Sequence, residues 1–191
     1  FLGVMKLQNS LSGNNKIKSI VIAGILTAFS LIIPLFPFRL PLPQPFSVTL
    51  AAHVPTLVAM FFSPWVAACT VIGSVVGFLI SLGPIVAIRA ASHIIFAVAG
   101  AYMLRKKVNT YLVFAICAVL HGLGEAVSVY IFGPMLGFSD STSLTYLLET
   151  VFGITIFHHA VDCAITVVLM IALEKAKFVK DTGVLPRRRN G

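Results

Sequence analysis

The sequence predicts an all-α integral membrane protein with six transmembrane helices and both termini cytoplasmic. Three observations carry this: the mean hydropathy is +1.00, only 10% of the 191 residues are charged, and the basic residues gather at the ends of apolar runs. A soluble single-core domain has about 25% charged residues, so the composition excludes that class. The net charge of +8 would suit nucleic acid, but its distribution is that of membrane topology, and nucleic-acid binding is rejected.

A spanning helix needs about 20 mostly apolar residues. Six stretches qualify: 17–36, 46–62, 65–82, 85–104, 109–132 and 148–175. The second is short and ends at Ser63-Pro64, and Gly83-Pro84 separates the third from the fourth. An even number of spans puts both termini on one side. That side receives Lys6, Lys16 and Lys18, then Arg105, Lys106 and Lys107, then Lys175, Lys177, Lys180 and Arg187 to Arg189, which is 12 of the 14 basic residues. The opposite side keeps Arg39, and Arg89 falls inside a span, so the positive-inside rule makes the basic side cytoplasmic. The chain then divides into an N-terminal tail (1–16), a six-helix membrane domain (17–178) with an outer loop at 37–46, and a basic cytoplasmic tail (179–191). Phe1 to Val4 precede a methionine and read as a remnant outside the native chain, and no signal peptide with a small-residue cleavage site follows.

The first outer loop reads "PFRLPLPQPF", with four prolines in ten residues, so it is expected to be stiff and extended, a segment that could act as a lid. The last, "GPMLGFSDSTSLTYLLE", is expected to carry a short surface helix. Cys69, Cys117 and Cys163 lie in apolar runs without ligand spacing and read as small buried hydrophobes.

Charged side chains near the bilayer centre cost about 2.5 to 3.5 kcal/mol each, so they are rare and face a bundle interior or a wet cavity. Here they recur as pairs four residues apart, and so on one helix face: Arg89 with His93, His121 with Glu125, and His158 with Asp162. Three consecutive spans each present one polar patch, and all three patches can line one cavity open to the outside. Such a cavity, beneath a proline-rich loop, suits the capture of a small polar solute. Glu149 stands at its mouth. His53, beside Pro55, is equally readable as helix packing or as a ligand contact, and His159, turned about 100° from His158, as a packing residue. Trp65 reads as an interfacial belt residue.

A zinc site using His121, Glu125, His158, His159 and Asp162 lacks the H-E-x-x-H spacing, and adjacent histidines diverge on a helix, so no metal or other cofactor is expected in this chain. Acyl-transfer chemistry has no G-x-S-x-G support. No G-x-x-x-x-G-K-[ST] phosphate loop is present, so any ATP is hydrolysed elsewhere. Small residues four apart occur as Gly24 and Ala28 in "AGILTAF", as Gly73 and Gly77 in "GSVVG", and as Ala97 and Ala101. Internal packing accounts for Gly73 and Gly77, while an external partner helix is an equal reading for Gly24 and Ala28.

From about Ile17 to Phe178 the chain resembles the substrate-binding S component of energy-coupling factor (ECF) vitamin transporters. It shares with them a small basic six-span body, a long first outer loop, a small-xxx-small face on span one and polar residues on spans four to six. The resemblance implies a non-enzymatic cell-membrane protein that captures a vitamin and associates with a transmembrane T subunit and two cytoplasmic ATPase subunits. It implies docking to the T subunit through Gly24 and Ala28, which stand where the family usually has two alanines. "AAHVPTLVAMFFSP" and "GPIVAIRAASHIIFA" look most like members assigned to acidic vitamins, pantothenate first and nicotinate next. Arg89 supplies the cation that a vitamin carboxylate needs. The expected binding residues are Arg89, His93, His121, Glu125, His158, Asp162 and Arg39, with Glu125 and Asp162 fixing the histidines or pairing Arg89. An intramembrane metal-dependent enzyme and an ion-coupled secondary transporter are the alternatives from other classes.

Overall fold

The computed structural model describes residues 2–36, 39–41, 47–180 and 182–184, with backbone alone for 2–15, 39–41, 47, 139 and 140. Arg187 to Arg189 and most of the proline-rich loop therefore lie outside the described residues, as does the side chain of Arg39.

Helix α1 runs Leu2–Ile32 and gives way to a tight turn over Ile33–Leu35. Pro34 explains the change, because it has no N–H to donate to the preceding turn. Two three-residue strands follow, β1 (Arg39–Pro41) and β2 (Ser47–Thr49), paired antiparallel with Arg39 opposite Thr49. The expected extended character of the 37–46 loop is thus present at 39–41, its described part.

The second expected span is not a long helix. Residues 46–62 hold β2, a turn in which Ala51 has a φ of 61°, and a seven-residue helix α2 (Val54–Met60) only about 10 Å long. Irregular backbone is tolerated at membrane depth only where protein surrounds it. That condition is met: Ala52, His53, Leu57, Val58, Ala59 and Met60 are all at most 4% exposed. Among the described residues, five helical segments are long and apolar enough to cross a membrane: Lys16–Leu35, Pro64–Leu82, Pro84–Arg105, Thr110–Phe132 and Tyr146–Lys175.

Two of the four later helices, α3 and α5, start at side-chain caps, and α4 starts at the Gly83-Pro84 break. Helix α3 (Pro64–Leu82) has Ser63 accepting from the Val66 N–H at 3.1 Å, with proline at its first position. Gly83, at φ +86°, makes the sharp reversal into α4 (Pro84–Arg105), a conformation that a side chain would strain. Helix α5 (Thr110–Phe132) is capped by the Asn109 side chain, which accepts from Tyr111 and Leu112. The last outer segment contributes tight turns at Pro134–Leu136 and Ser139–Thr142. A π-helical stretch, Tyr146–Gly153, then leads into α6 (Ile154–Lys175).

The core forms around α2, where Leu57 and Met60 meet Val66, Phe96, Ala97, Val113 and Cys117. Helix α1 lies against α3 at Gly73 and Gly77, whose missing side chains admit the backbone carbonyls of Thr27 and Leu31. Gly24 and Ala28 face away from this contact and are exposed, and nothing lies within 4 Å of a side chain placed on Gly24. Trp65 is 66% exposed.

Candidate functional site

The site is where α4, α5, α6 and the turn before α2 converge. Eight residues meet there, each at most 7% exposed: His53, Arg89, His93, His121, Glu125, His158, His159 and Asp162. They include all five histidines of the chain. Six of the seven residues expected from the sequence are therefore brought together. For the seventh, Arg39, only the backbone is described, and it pairs with Thr49, which lines the site.

Glu125 divides its two oxygens between two tasks. Oε2 accepts from Arg89 Nη2 at 2.6 Å and Nε at 3.2 Å, and from Thr155 Oγ1 at 2.9 Å. Oε1 faces imidazoles, 3.2 Å from His93 Nε2 and 3.4 Å from His121 Nε2. Arg89 sits one turn before His93 and Glu125 one turn after His121, so the i, i+4 spacing on facing helices is what closes this square. A buried carboxylate of this kind is tolerated because a cation and several donors face it. The imidazoles continue as a chain: His121 Nε2 is 3.1 Å from His93 Nε2, and His121 Nδ1 is 3.0 Å from His159 Nδ1.

Asp162 faces a different partner. Its Oδ1 accepts from the Ala51 N–H and its Oδ2 from the His53 N–H, both at 3.0 Å, and Oδ2 also lies 3.0 Å from His53 Nδ1. His158 Nε2 stands off at 3.6 Å. The carboxylate of α6 thus satisfies two backbone donors that the non-helical turn before α2 leaves without helical partners. With its ring so placed, His53 is the hub of the cluster. Its centroid lies 4.4 Å from that of His121 and 4.7 Å from those of His93 and His158.

The cup expected to open outward is closed in this structure. The space bounded by Thr49, Ala52, Phe78, Val86, Arg89 and Thr155, together with the polar cluster, measures about 20 Å³. That is room for about one water. The side chains occupy the volume themselves, and Thr49, Ala52 and His53 form the wall on the side of the β hairpin.

Sequence reasoning left His53 open and did not include Thr155. His53 has no titratable neighbour four residues away to mark its face, and its partner Asp162 is 109 residues distant. Thr155 precedes His158 by three residues, a spacing that places both on one face of α6 and was a usable signal. His159 is fully buried against His121 and Phe96, more engaged than its divergent angle suggested.

Residues 14–177 match the family model for the ECF-type riboflavin transporter, S component. The chain is also 35% identical over 173 residues to the niacin transporter NiaX of Lactococcus lactis subsp. cremoris, covering 84% of this chain and 77% of that protein. No solved structure matches. The chain belongs to the S-component family of ECF-type vitamin transporters, and is a multi-pass transport subunit of the cell membrane and not an enzyme.

Proposed function

We propose that this chain captures nicotinate, the acid form of niacin, and delivers it to an ATP-driven importer assembled from a T subunit and two ATPase subunits. The observation that carries the choice of ligand is Arg89, a buried arginine oriented by Glu125 within the polar cluster. A guanidinium held this way is a ready partner for a carboxylate. The 35% identity to a niacin transporter puts nicotinate ahead of pantothenate, the order opposite to the one the sequence suggested.

Binding requires the cluster to part. Thr49, at the end of the short β hairpin and ahead of the turn that Asp162 holds at Ala51 and His53, is the part of the wall that yields. Arg89 then meets the carboxylate, while His93, His121 and His158 meet the pyridine ring and its nitrogen. Glu125 and Asp162 act as positioning residues. Six crossings remain the best topology. Ala52 packs with Phe78, Ile85 and Ile33 at one end of the bundle, while Phe61 and Phe62 share a cleft with Leu104, Val108 and Lys18 at the other. The 47–62 segment therefore traverses the bundle although its helix is short, and this supports cytoplasmic termini on the basic side. The exposed Gly24 and Ala28 face is the surface assigned to the T subunit.

Calorimetry on the purified chain tests the ligand. Nicotinate is expected to bind with a stoichiometry of one, and nicotinamide, the same shape without the charge, at least about 10-fold more weakly. Equal affinity for the two would remove Arg89 from the role proposed.

A further inference from the structure

Three ligand atoms in the cluster form a nearly equilateral triangle. His93 Nε2 and His121 Nε2 are 3.1 Å apart, and Glu125 Oε1 lies 3.2 Å from the first and 3.4 Å from the second. A tetrahedral zinc with ligands at about 2.0 to 2.1 Å has ligand-to-ligand edges of about 3.3 Å. The triangle therefore has the dimensions of one face of such a site. We propose that His93, His121 and Glu125, with His53 as the fourth ligand, bind a divalent transition-metal ion.

The surroundings are arranged for this. Glu125 keeps Oε1 for the triangle because Arg89 and Thr155 occupy Oε2. A metal-bound histidine is held in one tautomer by a partner on its other ring nitrogen. His121 has His159 at Nδ1, and His53 has Asp162 at Nδ1, which leaves the opposite nitrogen of each ring as the ligand atom. Ring nitrogens of His53, His93 and His121 lie within 4.8 Å of one another, wider than a tetrahedral edge, so His53 joins the set by moving its ring towards the triangle. The alternative trio of His53, His158 and Asp162 is the weaker site, since Asp162 already accepts from two backbone N–H groups. Imidazole and carboxylate ligands suit zinc, nickel, cobalt or copper. The adjacent His158 and His159 do diverge, towards Asp162 and His121 respectively, as the sequence implied. The ligands come instead from α4, α5 and the turn before α2.

Charge gives the ion a purpose, and this step rests on the proposed acidic substrate. With neutral histidines the cluster holds one cation, Arg89, and two anions, Glu125 and Asp162. A carboxylate entering that buried site would face a net negative charge, a costly arrangement at low dielectric. A divalent ion reverses the sign, and ion, cluster and carboxylate together are neutral.

The test uses the full chain, purified, stripped with a chelator, and titrated with Co(II) followed by visible absorption and with Zn(II) followed by calorimetry. One ion per chain is expected, with the intense absorption of tetrahedral Co(II), and His93→Gln and His121→Gln are expected to weaken binding by about 10-fold or more. Absence of stoichiometric binding by the folded wild type overturns the site, as does unchanged affinity in both variants. If a variant fails to fold, the wild-type spectrum still decides, because an octahedral, weakly absorbing Co(II) overturns the ligand set. Nicotinate is then titrated with and without Zn(II), and an affinity at least about 10-fold lower in the stripped protein is expected. Equal affinity overturns the metal's role at the substrate while the nicotinate reading stands. No nicotinate binding in either state removes that reading, and the metal titration still decides the ion site.

Discussion

Asp162 on α6 and His53 ahead of α2 are joined twice, Oδ2 of the carboxylate lying 3.0 Å from both the backbone nitrogen and ring Nδ1 of His53. With the Ala51 N–H on Oδ1, this one side chain fixes a turn of irregular backbone inside the bundle. Asp162→Ala leaves two buried N–H groups and an imidazole without their acceptor, and is expected to destabilise the folded protein by about 3 to 5 kcal/mol. Thermal unfolding in detergent checks this, and an unchanged midpoint would mean that water replaces the carboxylate.

Residues read from local spacing were recovered by the sequence far better than residues whose partners are remote. The pairs Arg89/His93, His121/Glu125 and His158/Asp162 are visible because a helix puts i and i+4 on one face. Their division of labour is not visible, since the Arg89 to Glu125 contact joins two helices at a crossing that no periodicity encodes. The second span departs from the continuous helix expected there for the same reason. Its apolar run looks like a helix, but Asp162, more than 100 residues away, stabilises a turn at Ala51 to His53 instead. Span ends were legible to within one or two residues wherever Ser63, Gly83-Pro84 or Asn109 marked them.

Removing Arg89 is expected to act on both binding and fold. Arg89→Ala should weaken nicotinate binding by about 10-fold or more and also destabilise the protein, because Glu125 is left as a buried anion with its cation gone. Adding Glu125→Gln to Arg89→Ala should recover part of the stability but none of the affinity. Calorimetry and thermal unfolding on the single and double variants separate the two effects, and recovery of affinity in the double variant would show that Arg89 serves structure alone.

The two faces of α1 and α3 predict opposite behaviour for small-residue substitutions. A methyl group on Gly73 or Gly77 meets the backbone carbonyl of Thr27 or Leu31, so Gly73→Ala or Gly77→Ala should cost about 1 to 3 kcal/mol by forcing the helices apart. Gly24 has open space beyond it. Gly24→Leu should therefore leave stability and nicotinate affinity within about twofold of wild type. Uptake driven by the assembled ATP-dependent complex should nonetheless be lost if this face receives the T subunit. Normal uptake by Gly24→Leu would place the docking surface elsewhere.

The most direct measurement is a calorimetric titration of the purified chain with nicotinate, nicotinamide, pantothenate and riboflavin in parallel. The predicted result is one tightly bound nicotinate per chain, with nicotinamide at least about 10-fold weaker and no heat from riboflavin. Tight binding of riboflavin with none of nicotinate would contradict it.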